Sequence, residues 1–274
     1  MVSSSARVSL SPATSAPPAP PIEEVLSGTD SWYLDPLVAV QKREANVAFF
    51  EKWADGFPAK VVVKTDLFEE ANNLDRILFD LDRGQEQTLG FDIAMPTVRK
   101  AARAGRGSKA RMMAADARQL PFAENSVDLI LSTSTLDHFD YAEDFEASIV
   151  ELGRILRPGG RLVLTMDNPW NPTYQLLRAV CRLPSAPFEL GYTPSKSRLT
   201  RNLTDAGLEP LGWQPILHNP RLISTVMWMA MRRGLGRHAD GAIRRSLWAF
   251  EQLDKLPTRW LTCCFNGVCA EKRA

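Results

Sequence analysis

Two hydrophobic periods alternate along the first two thirds of the chain. Short apolar runs fall at Val61-Val62-Val63, Thr88 to Asp92, Ala110 to Ala114, Val127 to Leu131 and Arg161 to Met166. Between them apolar residues recur every three or four positions, the spacing of one helix face. Leu37, Val40, Val47, Phe50 and Ala54 form the first such stripe. Leu67, Ala71, Leu74, Leu78 and Leu81 form the second, and Phe145, Ile149, Leu152 and Leu156 a later one. Punctuation agrees. Asp35-Pro36 supplies an N-cap and a first-turn proline, and Gly56 closes that helix. Asp66 and Glu69 stand at capping-box spacing, which predicts one helix from there to about Arg83-Gly84. Pro96 to Ala104 is a further helix, closed by Gly105.

Strand and helix in strict alternation predict a parallel sheet with helices on both faces and right-handed crossovers. Val127 to Leu131 is almost wholly apolar, as a strand buried on both faces must be. Ligands in such sheets sit outside the carboxyl ends of the strands. After Asp167 the pattern loosens. Pro172 to Leu183 and Ser195 to Ala206 read as helices, with 184–192 a loop. Leu208 to Leu217 reads as a strand that Pro210 and Pro215 confine to an edge. A helical insertion occupies about 220–258, and Phe265 to Ala270 is the last strand. No internal repeat is visible.

Composition narrows the class. Among 274 residues 45% are hydrophobic, enough for a sizeable core, and the net charge of +1 gives no general attraction to nucleic acid. Cys181, Cys263, Cys264 and Cys269 form no C-x-x-C pair, and His138, His218 and His238 are scattered. No metal site is expected, and the cysteines read as small buried residues in a reducing compartment. No apolar run is long enough to span a bilayer. Residues 1–29 are rich in Ser, Ala and Pro without a secretory apolar stretch, so a disordered tail and a cytoplasmic protein are expected; an organellar leader is the alternative. Residues 30–274 then form one domain, with an N-terminal helix at 36–55, a cofactor-binding core at 58–170 and a cap at about 220–258.

Asp92 ends the second strand, where a carboxylate can accept both hydroxyls of a nucleotide ribose. Asp116 ends the third and can accept from an adenine amine. Each has a bland reading as a loop or turn aspartate. The surrounding stretches add a family resemblance. Asp116-Ala-Arg-Gln-Leu-Pro-Phe-Ala-Glu-Asn-Ser-Val-Asp128 resembles a segment of class I S-adenosylmethionine (SAM)-dependent methyltransferases. Leu129 to Phe139 is similar to their fourth strand and its loop. Glu151-Leu-Gly-Arg-Ile-Leu-Arg-Pro-Gly-Gly160 is similar to the element before their fifth strand, and Ala206-Gly-Leu-Glu209 to the signal before their sixth. Together these cover about residues 60–217.

The resemblance implies a Rossmann-like, mostly parallel seven-stranded sheet with an antiparallel last strand. It implies SAM as cofactor and methyl transfer to a small-molecule acceptor by direct displacement. It places Asp92 on the ribose, Ile93 beside the adenine, Asp116 and Ala117 at the adenine edge, and Ser132 and Thr133 on the methionine side. The first strand departs from the family. An acid and a Gly-x-Gly loop are usual there, so that backbone can approach the cofactor. This chain has Lys64-Thr65-Asp66-Leu67-Phe68-Glu69-Glu70. Either the site is degenerate and the protein a non-catalytic scaffold, or the loop is rebuilt around Thr65, Asp66 and Phe68. In the second reading helix amides meet the methionine carboxylate, and Asp66 or Glu69 meets its ammonium.

His138 follows the fourth strand and can serve as a general base; a packing role is its alternative. Asp137, Asp167 and Asn168 are weaker candidates. A nicotinamide-dependent oxidoreductase would also use Asp92, but Gly-x-Gly-x-x-Gly is absent. The insertion pairs Leu222, Ile223, Val226, Met227, Trp228, Met229 and Met231 with Arg232, Arg233, Arg237, Arg244 and Arg245. It is expected to be a lid lining the substrate cavity, ahead of peripheral contact with a membrane surface.

Overall fold

The computed structural model describes residues 7–8, 35–72, 77–80, 86–181 and 190–273. The expected tail lies outside them, except that Arg7–Val8 pair antiparallel with Phe57–Pro58. Seven strands form one sheet: β1 (Val61–Thr65), β2 (Gln87–Asp92), β3 (Arg111–Ala114), β4 (Val127–Thr133), β5 (Leu156–Asp167), β6 (Leu208–Ile216) and β7 (Phe265–Lys272). Their order is β3-β2-β1-β4-β5-β7-β6. β7 alone runs opposite to the other six strands, antiparallel to both β5 and β6. β6 takes the edge that its prolines predicted, with a register shift between Pro210 and Gly212. Strand order reverses between β1 and β4, which opens a crevice at their carboxyl ends.

The alternation of side chains builds two cores. Val63 and Ile130 meet Phe145, Ile149 and Leu152 of α5 (Ala142–Ile155) and Leu199 and Leu203 of α7 (Lys196–Asp205). Val62, Leu129 and Leu131 meet Phe49 and Phe50 of α1 (Pro36–Ala54). Every residue of β4 is buried, as its apolar run predicted. Burying each such large side chain contributes about 1.5–3 kcal/mol.

The family-like motifs in this half prove to be structural clamps. Glu151 accepts the Leu120 amide at 2.6 Å, and Arg154 donates to the Leu120 and Phe122 carbonyls at 3.3 and 2.9 Å. Asp128 accepts the amides of Lys60 and Val61 at 2.8 and 2.7 Å, fixing the start of β1.

Two expectations change. The helix predicted from Asp66 to about Gly84 is two short pieces, α2 (Phe68–Ala71) and α3 (Ile77–Asp80); 73–76 and 81–85 lie outside the described residues. Asp66 has a left-handed φ of 64°, so it cannot act as an ordinary N-cap. The cap is also different from a lid lined by Met and Trp. It comprises α8 (Arg221–Leu235), α9 (Asp240–Glu251) and α10 (Arg259–Thr262). Trp228 packs with Ile243 and Leu247 against Leu37 and Val38 of α1, with Met227 and Met231 alongside. Arg232 pairs with Asp35 at 2.6 Å and also with Asp240. These residues join the cap to the N-terminal helix. Its Ile223, Val226 and Trp248 stay exposed.

No helix among the described residues is long and apolar enough to cross a membrane. All four cysteines are free and buried, as expected.

Candidate active site

The crevice is built where strands β1 and β4 end. Asp66 (φ 64°) and Ser134 (φ 44°) each turn the chain through the left-handed region immediately past their strands. Such strain costs about 1–3 kcal/mol and persists where surrounding structure imposes it. Parallel register sets Thr65 beside Ser132. The Thr65 hydroxyl donates to Ser132 Oγ at 2.9 Å and lies 2.7 Å from Thr135 Oγ1. Thr133 Oγ1 is buried without a hydrogen-bond partner among the described residues. A patch of hydroxyls therefore floors the crevice.

The glycine-free loop is held by a buried charge cluster. Lys64 is fully buried; its Nζ lies 2.9 Å from Glu70 and donates to the Asp66 carbonyl at 2.9 Å. Glu70 also accepts the Leu78 amide at 3.1 Å. Glu69 pairs with Lys42 of α1 at 3.2 Å and lies 4.0 Å from Lys64. Burial, then the neighbouring Glu69 charge, pushes the Asp66 carboxyl up to about 7. Lys42 and Lys64 hold Glu69 below the ordinary glutamate range despite its burial.

The close approach that glycine usually permits is relocated. Leu67 drops onto Gly90 of β2, where a Cβ would stand 2.6 Å from Leu67 Cδ2. The Leu67 amide donates to Asp92 Oδ2 at 3.2 Å, and the Ala94 amide to Oδ1 at 2.7 Å. The Phe68 amide donates to Asp66 Oδ1 at 2.6 Å. Two of the amides expected to meet a methionine carboxylate are thus already engaged. Phe68 itself is half exposed at the loop's tip.

Asp92 and Ile93 stand together at the end of β2, with Ile93 69% exposed. Asp116 ends β3's loop, and both its oxygens are taken by Arg118, at 2.6 Å from Nη2. That hydrogen bonding holds the Asp116 carboxyl below its ordinary range. Ala117 is buried in the core beneath. His138 is exposed on the turn after β4, whereas its neighbour Asp137 is buried. Burial, then the Asp167 charge, pushes Asp137 up to about 6. Lys42, Glu70 and Arg221 were missed by sequence reasoning. One signal was present: three acids and one lysine in a single loop need a second cation nearby.

Residues 73–164 match the family model described as a methyltransferase domain. The match begins after the glycine-free loop, the part that departs from the family. A demethylmenaquinone methyltransferase of Corynebacterium glutamicum is 31% identical over 129 residues, 40% of this chain and 55% of that protein. The Thermus thermophilus protein of the same name is 36% identical over 80 residues, 28% of this chain and 35% of its own. The chain thus spans about half the length or less of these curated relatives.

Among solved structures, a SAM-dependent methyltransferase from Mesorhizobium loti superposes with TM-score 0.58 at 16% identity, covering 83% of this chain and 98% of that one. Magnesium protoporphyrin IX methyltransferase from Synechocystis, solved with bound S-adenosylhomocysteine (SAH), gives 0.53 at 16% identity over 86% and 84%. The cyclase SpnF gives 0.54 at 18% identity over 85% and 81%, so the fold alone does not fix the reaction. Residues 73–164 match a methyltransferase domain, and the chain shares the fold of these solved SAM-dependent methyltransferases.

Proposed function

We propose that the protein is a SAM-dependent methyltransferase that passes the methyl group to a small-molecule acceptor by direct displacement. The observation that carries this is the loop Lys64 to Glu70: Lys64 pairs with Glu70 inside it, Lys42 of α1 meets Glu69, and the loop is anchored to Asp92 at 3.2 Å. A decayed site would have no reason to keep a buried lysine paired with a buried glutamate, because each such group is costly unless satisfied. That favours a rebuilt loop over a non-catalytic scaffold.

In this reading Asp92 takes the ribose hydroxyls and Ile93 flanks the adenine. Asp116, fixed by Arg118, takes the adenine edge with the backbone at Ala117. Thr65, Ser132 and Thr133 line the methionine side, Asp66 meets the ammonium, and Phe68 covers it. His138 stands at the mouth. When bound, the cofactor supplies an electrophilic methyl on a sulfonium, so positioning the nucleophile supplies much of the rate. The demethylmenaquinone methyltransferase relatives support a small, partly apolar acceptor. Calorimetry with SAM and SAH tests the reading: both should bind, and absence of binding by either would end it. Transfer from methyl-labelled SAM to an extract of small molecules then separates enzyme from scaffold.

Asp66 gives a sharper test. Without ligand its carboxyl favours the protonated form up to about pH 7. A cationic ammonium beside it favours ionisation, so binding should release close to one proton at about pH 6 and about half of one at about pH 7. The same shift predicts that Asp66's contribution to unliganded stability falls as pH rises from about 4, its unfolded value, to about 7. Calorimetry in two buffers of different ionisation enthalpy reads the proton count. A count near zero across this range would remove Asp66 from the ammonium role.

A further inference from the structure

A second buried carboxylate lies past the end of β4, beside the end of β5. Asp137 sits in the single turn Leu136–His138 that follows β4. It is 4% exposed. Its Oδ2 accepts the Asp167 amide of β5 at 3.0 Å, so the carboxylate is fixed in place. Its Oδ1 accepts no hydrogen bond among the described residues. An unsatisfied buried acceptor is costly to keep, and it invites a donor from a ligand.

Asp167, His138, Arg221 and Tyr174 all interact electrostatically with this carboxylate, and most of them are already committed. Asp167 is paired with Arg221 of the cap at 2.5 Å. The Tyr174 hydroxyl of α6 (Pro172–Cys181) lies 2.7 Å from Thr193 Oγ1. Asn168 donates to the carbonyls of Trp260 and Cys263 at 2.8 and 3.1 Å. His138 is on the same turn, exposed. Arg221, Tyr174 and Asn168 line a small depression together with Leu177 and Cys264. Two carboxylates share one guanidinium here, so the corner keeps an excess acceptor. The turn is also clamped from outside. The Gly191 amide donates to the Asp137 carbonyl at 3.0 Å, and a Cβ at Gly191 would stand 2.3 Å from the Phe139 carbonyl oxygen.

We propose that Asp137 is the catalytic carboxylate of methyl transfer, with Oδ1 accepting the hydrogen of a hydroxyl or amine acceptor, and that the Asp167–Arg221 pair positions it. This rests on the methyltransferase reading above. The acceptor's O–H or N–H hydrogen passes to Asp137 as its lone pair forms a bond to the methyl carbon. The carbon–sulfur bond breaks, its electrons return to sulfur, and neutral SAH leaves. Reaching Oδ1 needs its surroundings to open. Arg221, 27% exposed, is the surrounding side chain nearest solvent on the cap side. The site suits an acceptor that donates a hydrogen bond, and not one that offers only a thioether or a tertiary amine.

The test does not need the acceptor. Sinefungin is a SAM analogue in which an amine-bearing carbon replaces the methylsulfonium, so its amine stands at the methyl position. Wild type should prefer sinefungin to SAH, and Asp137→Asn should lower that preference by about 10- to 100-fold while SAH affinity holds. If Asp137→Asn does not fold, wild type alone decides: the sinefungin-to-SAH ratio should rise about tenfold from about pH 5 to about pH 8 as Asp137 ionises, whereas Asp66 acts on both ligands alike. A ratio unmoved by the substitution, or flat with pH, overturns the assignment. Failure of wild type to bind SAH at all overturns the methyltransferase reading, and this role with it.

Discussion

Lys64→Met is expected to destabilise the protein by about 3–5 kcal/mol, read by urea denaturation at neutral pH. Lys64 and Glu70 are both fully buried, with Nζ and Oε2 2.9 Å apart. Removing the ammonium takes from Glu70 the buried cation 2.9 Å from its Oε2, and Glu69 loses a charge 4.0 Å away. It also deprives the Asp66 carbonyl of its donor at 2.9 Å, in a turn already held at φ 64°. Desolvation explains the asymmetry of the expected result. Lys64→Met/Glu70→Leu removes both charges and should recover most of the loss, because an apolar pair of similar volume is close to neutral in place of a buried ion pair. Recovery must be incomplete, since Glu70 also accepts the Leu78 amide at 3.1 Å. If Lys64→Met costs less than about 1 kcal/mol, the range for an exposed pair, the loop is not organised by this cluster.

The same cluster shows where sequence reading stops. The strands and helices follow from local periods, because each rests on residues close in sequence, and the mostly parallel sheet with its antiparallel last strand follows from their alternation and the family resemblance. Asp66 and Glu69 carried the spacing of a capping box, yet the structure uses Glu69 to meet Lys42, 27 positions earlier. No local pattern announces that partner. Asp116 was legible as a strand-end acid, but the Arg118 clamp two residues on was not, since i,i+2 pairs have no regular geometry in a loop. Trp228, Met227 and Met231 read as a cavity lining because apolar residues on an insertion fit that role. Contact with Leu37 and Val38 of α1 decided otherwise. In the turn after β4, His138 had the more suggestive chemistry and Asp137 the more informative burial, and burial is a tertiary property.

Asp92→Ala should weaken SAH binding by about two to three orders of magnitude. The carboxylate is a junction between the two halves of the crevice: Oδ2 holds the Leu67 amide of the rebuilt loop and Oδ1 the Ala94 amide ahead of α4 (Met95–Ala104). In the proposed complex it must also accept from the ribose. Hydrogen bonds to a charged group contribute about 1.5–3 kcal/mol each, so losing the ribose contacts and the loop's anchor together gives a loss of this size. Asp92→Asn separates the two roles. Its amide oxygen can still accept one backbone N–H, but its nitrogen cannot accept from either the other amide or a ribose hydroxyl. The alanine variant should therefore lose both stability and affinity, whereas the asparagine variant should keep more of its stability and still bind SAH poorly. Equal SAH affinity in wild type and both variants would mean that the ribose is not held at the end of β2. A loss of affinity that only tracks the loss of stability would make Asp92 an anchor of the loop and nothing more.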